Sequence, residues 1–194
     1  MKRRDALKGL GLSLGYVVAT PSIISLLQSC KNDAHTTTWT PVFFTEDQGN
    51  VIKNMVDIII PKTEDSPGAI DVNVHKFIDA YVNEVSSLEE QEHHKKGFEA
   101  VVAALGKPIK NCKTSDYEAV LSKYLKADTA SDENFTDNDK LVMATLIGLR
   151  SITIWGFKTS EEIGEKVLAY DPVPGVYNGC ISLKEATGGK AWSL

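Results

Sequence analysis

The chain has 194 residues, 26 acidic and 21 basic, for a formal net charge of −5. An acidic chain with no basic stripe is unsuited to nucleic acid, so that class of partner is excluded. The length fits one domain with a core of its own.

The first nine residues, MKRRDALKG, are basic, and an apolar run follows from Leu10 to Leu27 before Gln28, Ser29 and Cys30. A basic start joined to a moderate apolar run is an export signal and is set apart from the fold. Arg3 and Arg4, followed by Leu7 and Lys8, match the twin-arginine pattern R-R-x-x-L-K. The added Leu-Lys favours that route, used by proteins already folded, over a general lipoprotein signal with a merely basic start. Residues 27–30 form a lipobox, in which Cys30 is diacylated and becomes the new N-terminus. Gly11, Gly15 and Pro21 interrupt the run, which falls short of the ~20 unbroken apolar residues of a permanent span. The expected organisation is a signal over residues 1–29, a flexible tether over 30–44 and one domain over 45–194.

Without the leader, 17 basic and 25 acidic residues remain, a net charge of −8, and Arg150 is the only arginine left. Anionic membrane surfaces repel such a chain, so attachment on the periplasmic side rests on the lipid at Cys30. Cys112 and Cys180 are the other cysteines. In an exported protein they are either one disulfide or two separate buried thiols.

Along the domain, Thr45 and Gln48 form a capping box that opens a helix with Val51, Ile52, Met55, Val56 and Ile59 on one face. Pro61 stops it, and residues 61–73, PKTEDSPGAIDVN, are a loop. A second helix buries Val74, Phe77, Ile78, Tyr81, Val82 and Val85, and a third runs from Leu88 to Leu105. Ser115 and Glu118 read as a capping box for a fourth. The most hydrophobic helix, Lys140 to about Phe157, follows Thr136 and has apolar residues on several faces, which predicts a central, nearly enclosed element. Thr159 and Glu162 predict a cap for a short last helix ending at Leu168. The prolines and glycines beyond Tyr170 exclude regular structure of any length, and no segment alternates like a strand. The fold class is all-α, a bundle of about five to six helices with an extended irregular C-terminal tail.

Residues that do chemistry are scarce. His93 and His94 are adjacent, so on a helix they point about 100° apart and cannot share a metal face. The acids are scattered, and nucleophile-elbow, C-x-x-C and dinucleotide-loop patterns are missing, so no catalytic, cofactor-binding or metal site is assigned. Arg150, inside LIGLRSIT, is best read as half of a buried or half-buried ion pair, with contact to a partner as the alternative. Tyr177 and Trp192, in the tail, either lock it to the bundle or form a docking surface.

The pieces IIIPKTEDSPGAIDVNVHKFID and ITIWGFKTSEEIGEKVLAYDPVPGVYNGC, with a GGKAWS terminus, together resemble the gluconate 2-dehydrogenase subunit 3 family. The most specific are P-x-T-x-x-x-P-G-A (Pro61, Thr63, Pro67, Gly68, Ala69) and P-G-x-Y-x-G-C (Pro174, Gly175, Tyr177, Gly179, Cys180). The resemblance implies a non-catalytic small subunit without a cofactor of its own. It would bind a large FAD-dependent dehydrogenase of the glucose–methanol–choline type, help it mature, and escort it through the twin-arginine translocase. A cytochrome c subunit is a further candidate partner. Pro67, Gly68, Arg150, Pro174, Gly175, Tyr177 and Trp192 are the candidate partner contacts. The competing class is a free-standing helical envelope lipoprotein that binds a ligand or another protein.

Overall fold

The first helix starts where its cap predicts. In the computed structural model, which describes residues 39–126, 135–173, 175 and 179–193, α1 spans Glu46–Ile59. The Thr45 hydroxyl accepts the Gln48 N–H at 3.2 Å and Gln48 Oε1 accepts the Thr45 N–H at 3.0 Å. The export signal, with Arg3, Arg4, Leu7, Lys8 and the lipidation site Cys30, lies outside the described residues, as do Pro174 and Tyr177.

α2 spans Val74–Glu84, α3 Leu88–Ala104, α4 Thr114–Leu125 and α5 Asp137–Lys158. The long α5 packs against all four of the others. Val142, Leu146 and Leu149 are buried there with Ile52, Met55, Val56, Val101 and Leu121 from the surrounding helices. Two close crossings set the packing. A Cβ on Gly97 of α3 would meet Thr145 Oγ1 at 2.3 Å, and one on Gly156 would meet Phe77 Cδ1 at 2.7 Å. The class is all-α, and among the described residues the only strand-like feature is an isolated parallel bridge between Ala169 and Trp192.

Two expected caps differ, and α3 begins on a further box between Ser87 and Glu90. α4 starts two residues earlier than a Ser115 cap would place it, with Lys113 as its N-cap, because the Asp116 carboxylate accepts the Lys113 N–H at 2.7 Å. A carboxylate there also takes Lys107 Nζ at 2.8 Å, an ion pair that Glu118 does not make. Thr159 opens no new helix; it is the C-cap of α5, and its hydroxyl donates to the Trp155 carbonyl at 2.9 Å. The chain then turns through a π-helix, Glu162–Val167, closed by the Leu168 N–H on the Ile163 carbonyl at 2.8 Å.

Asp139 joins two elements. Its carboxylate closes the α5 cap with Thr136 and accepts the Tyr124 hydroxyl of α4 at 2.6 Å and Lys123 Nζ at 3.0 Å. The hydrogen bonds from Thr136, Tyr124 and Lys123 hold this carboxyl far below the usual carboxylate range.

The buried carboxylate of Asp79, 2 % exposed in α2, ties together two distant stretches of chain. It accepts the N–H groups of Val42, Phe43 and Phe44 at 2.7, 3.1 and 3.1 Å. Residues 42–44 fall at the end of the expected tether, yet this carboxylate builds them into the fold, and Phe44 seats its ring on Phe98 at 5.0 Å. Hydrogen bonds to a charged group contribute more than neutral ones, and removing the acceptor strands three donors. Asp79→Ala should therefore lower unfolding free energy by about 2–4 kcal/mol in urea titrations, and Asp79→Asn by roughly half as much.

His75 is buried at the start of α2, and burial, aided by Lys53 and Lys76, pushes its pKa down from 6.5 to about 4. The unfolded chain takes up a proton below about pH 6.5 that the folded chain refuses, so stability falls as pH drops from there to about 4. His94, lowered mainly by burial, acts in the same sense, whereas the depressed carboxylates Asp71, Asp116, Asp139, Glu90 and Glu185 withdraw stability only at lower pH. The urea midpoint should thus decline between pH 7 and pH 4.5 by the equivalent of up to ~3 kcal/mol. His75→Gln should flatten most of that slope; an unchanged slope would remove His75 as its cause.

Candidate functional site

The loop after α1 is closed by its own residues. The Thr63 N–H donates to the Ser66 carbonyl at 2.9 Å, the Ser66 N–H returns to Thr63 Oγ1 at 3.1 Å, and the Ala69 N–H reaches the Ile60 carbonyl at 2.9 Å. Gly68 lies so close to the preceding strand of chain that a Cβ there would sit 2.6 Å from Lys62 N. Ala69 is wholly buried, and the Gly68 N–H donates to Asp71 Oδ2 at 2.9 Å. The P-x-T-x-x-x-P-G-A pattern therefore holds the loop's shape, and Gly68 itself is buried and offers a partner no surface.

Half-buried Pro67 does face outward, into an open cleft of about 530 Å³ with Lys62, Asp71, Ser160, Glu161 and Glu162. Three acids against one lysine make this a poor seat for a diphosphate, so the residues present do not fit a flavin dinucleotide. Arg150 and Trp192 do not line it.

The tail is more ordered than its composition suggests. A five-residue helix, α6, spans Leu183–Thr187 with a Ser182–Glu185 capping box. Gly188 and Gly189, at φ +67° and +88°, then reverse the chain. The return brings the Ala169 N–H to the Ala191 carbonyl at 2.9 Å and the Ser193 N–H to the Ala169 carbonyl at 2.8 Å. The Trp192 backbone thus helps lock the tail while its side chain remains half exposed, and Gly175 is exposed.

Two expectations are corrected. Arg150 is exposed and, among the described residues, has no carboxylate at ion-pair distance, so the buried pair does not form. Cys112 and Cys180 are free thiols rather than a disulfide, and they are not both buried: Cys112 is half buried and Cys180 exposed. α5 is central without being enclosed. Ile147, Ile154 and Trp155 are 40, 43 and 43 % exposed, and Arg150 stands between the two isoleucines at helical spacing. α5 is long and apolar enough to cross a bilayer, yet its inner face is the bundle core. Trp155 packs at a tilt against Phe77 and edge-on against Tyr81, at centroid distances of 5.3 and 5.5 Å, so residues expected in the interior form an aromatic cluster at the surface. Among the described residues no three His, Cys, Asp or Glu side chains gather as a metal site.

The described residues thus form an all-α unit with a self-closed loop after α1 and partly exposed apolar residues along one side of α5. The family model described as gluconate 2-dehydrogenase subunit 3 matches residues 46–175, from the start of α1 into the tail, and the chain belongs to that family. No curated protein matches, and no solved structure does. The match includes Pro67, Gly68, Arg150, Pro174 and Gly175, while Tyr177, Cys180 and Trp192 lie beyond it.

Because the space above Gly68 is filled by backbone, Gly68→Ala should require a loop shift costing about 1–3 kcal/mol. Thermal denaturation of the variant checks this; an unchanged midpoint would mean that the close approach does not hold the loop.

Proposed function

We propose that this chain is the non-catalytic small subunit of a membrane-associated, FAD-dependent sugar or sugar-acid dehydrogenase. It binds the large flavoprotein subunit of the glucose–methanol–choline type, supports its folding around FAD and escorts it across the membrane. The observation that carries this reading is the family match to a subunit over residues 46–175. Two others support it: an exposed strip on α5 rich in isoleucine, tryptophan and arginine, residue types that suit an interface, and the R-R-x-x-L-K pattern at Arg3. A leader for folded cargo makes sense for a helical domain that travels with a partner loaded with its cofactor in the cytoplasm. Diacylation at Cys30 then holds the pair on the periplasmic side of a membrane.

The test is genetic and needs only fractionation. Arg3→Lys with Arg4→Lys should leave the co-expressed large subunit in the cytoplasm, with flavin absorbance and dehydrogenase activity missing from the periplasmic and membrane fractions. Normal export of the large subunit would contradict the escort role.

A further inference from the structure

We infer that the cavity between α2, α3 and α5 binds a free small molecule: an uncharged, single aromatic ring carrying one hydroxyl group. This ligand site is independent of the small-subunit reading.

The cavity holds about 210 Å³. Apolar protein cavities of about 150 Å³ take up benzene, so this one has room for a ring with a short substituent. Its walls are core residues: Ile78, Val82, Phe98 and Leu149 are each 3 % exposed or less. The Phe98 ring gives an aromatic guest a surface to pack on.

Where the cavity meets solvent, its lining is His93 on α3 with Ala144 and Gly148 on α5, all exposed. The two small residues lie one turn apart and keep that mouth open. Glycine in a helix interior is less favourable than alanine, so it usually answers to a close approach. Gly97 and Gly156 have that reason, since a Cβ there would strike Thr145 and Phe77. At Gly148 a Cβ would meet nothing within 4 Å, so the space it leaves belongs to the cavity.

Charge and hydrogen-bonding capacity choose the guest. No carboxylate, ammonium or guanidinium group lines the cavity, Arg150 included, so a charged guest would lose its water without gaining a partner. The polar lining residues are His93, His94 and Thr145. Thr145 already donates its hydroxyl to the Leu141 carbonyl at 2.8 Å. Neither imidazole has a hydrogen bond to another protein group among the described residues. Burial, aided by His93 and opposed by Glu90, lowers the pKa of half-buried His94 and keeps its ring neutral at about pH 7. A neutral imidazole has one donor and one acceptor nitrogen, and a hydroxyl serves either. Glu89, Glu92 and Lys96 gather with His93 on the outer surface of α3. A docked partner segment would have to strip water from those charges, whereas a free ring enters without covering them.

The full-length chain at about pH 7, with 4-ethylphenol as probe, tests the site by calorimetry and thermal midpoint. The probe should bind saturably and raise the midpoint, and the carboxylate 4-ethylbenzoate should bind at least ~10-fold more weakly. Gly148→Leu, which places a side chain in the mouth, should weaken 4-ethylphenol at least ~10-fold. Its unliganded midpoint should be kept, since a Cβ there displaces no neighbour. His94→Leu should weaken 4-ethylphenol about 5-fold and leave ethylbenzene bound as before, a split that general loosening of the fold would not produce. No saturable binding by the wild type, equal binding of the carboxylate, or undiminished 4-ethylphenol binding in either variant would overturn the site. Displacement of the probe when the large flavoprotein subunit binds would assign the cavity to a partner side chain and overturn it too. The small-subunit reading stands under every one of these results.

Discussion

Four short amphipathic helices cannot cover a long apolar one on every side, and this constraint shapes the molecule. α5 gives Val142, Leu146 and Leu149 to the core, where α1 to α4 close over them. On its opposite face Ile147, Ile154 and Trp155 stay 40–43 % exposed, Trp155 being covered in part by Phe77 and Tyr81. An uncovered apolar face is costly in water and is retained where another surface completes it. The fold is thus a bundle with one apolar side left partly open.

The polar contacts set the position of that face. Asp139 fixes the start of α5 against α4 through Tyr124, and the Thr159 hydroxyl ends it at Trp155. Asp79 fastens the chain leading into α1 to the middle of α2 by three backbone N–H groups. Behind α5, the π-helix and the Ala169–Trp192 bridge draw the tail back to the bundle, so both ends of the domain are secured.

Much of this could be read from the residues because it is local. The caps at Thr45 and Thr136 need only side chains three positions apart, and the stripes of α1 and α2 repeat at helical spacing. Val85, at the frayed end of its stripe, is 62 % exposed because α2 has already ended at Glu84. What escaped the sequence was long-range or competitive. The donors that Asp79 receives lie 35 to 37 residues away. Ser115 with Glu118 has the spacing of a capping box, but Asp116 accepts the Lys113 N–H and also pairs with Lys107, nine residues back, which local spacing does not reveal. Apolarity announced that α5 is central but could not say how many of its sides are covered, so Arg150 was read as buried when it is exposed. In the conspicuous P-x-T-x-x-x-P-G-A pattern the sequence does not separate Gly68, a backbone crowded by its own chain, from Pro67, which faces an open cleft.

The account stands or falls on whether this bundle lives with a flavoprotein. Intact-complex mass spectrometry of the full chain gently extracted from its native membranes asks this directly. A species with the mass of this chain, a large subunit and one FAD, active as a dehydrogenase that the isolated chain cannot match, is the predicted result. A monomer of this chain alone, with no flavin in any species that contains it, would contradict it.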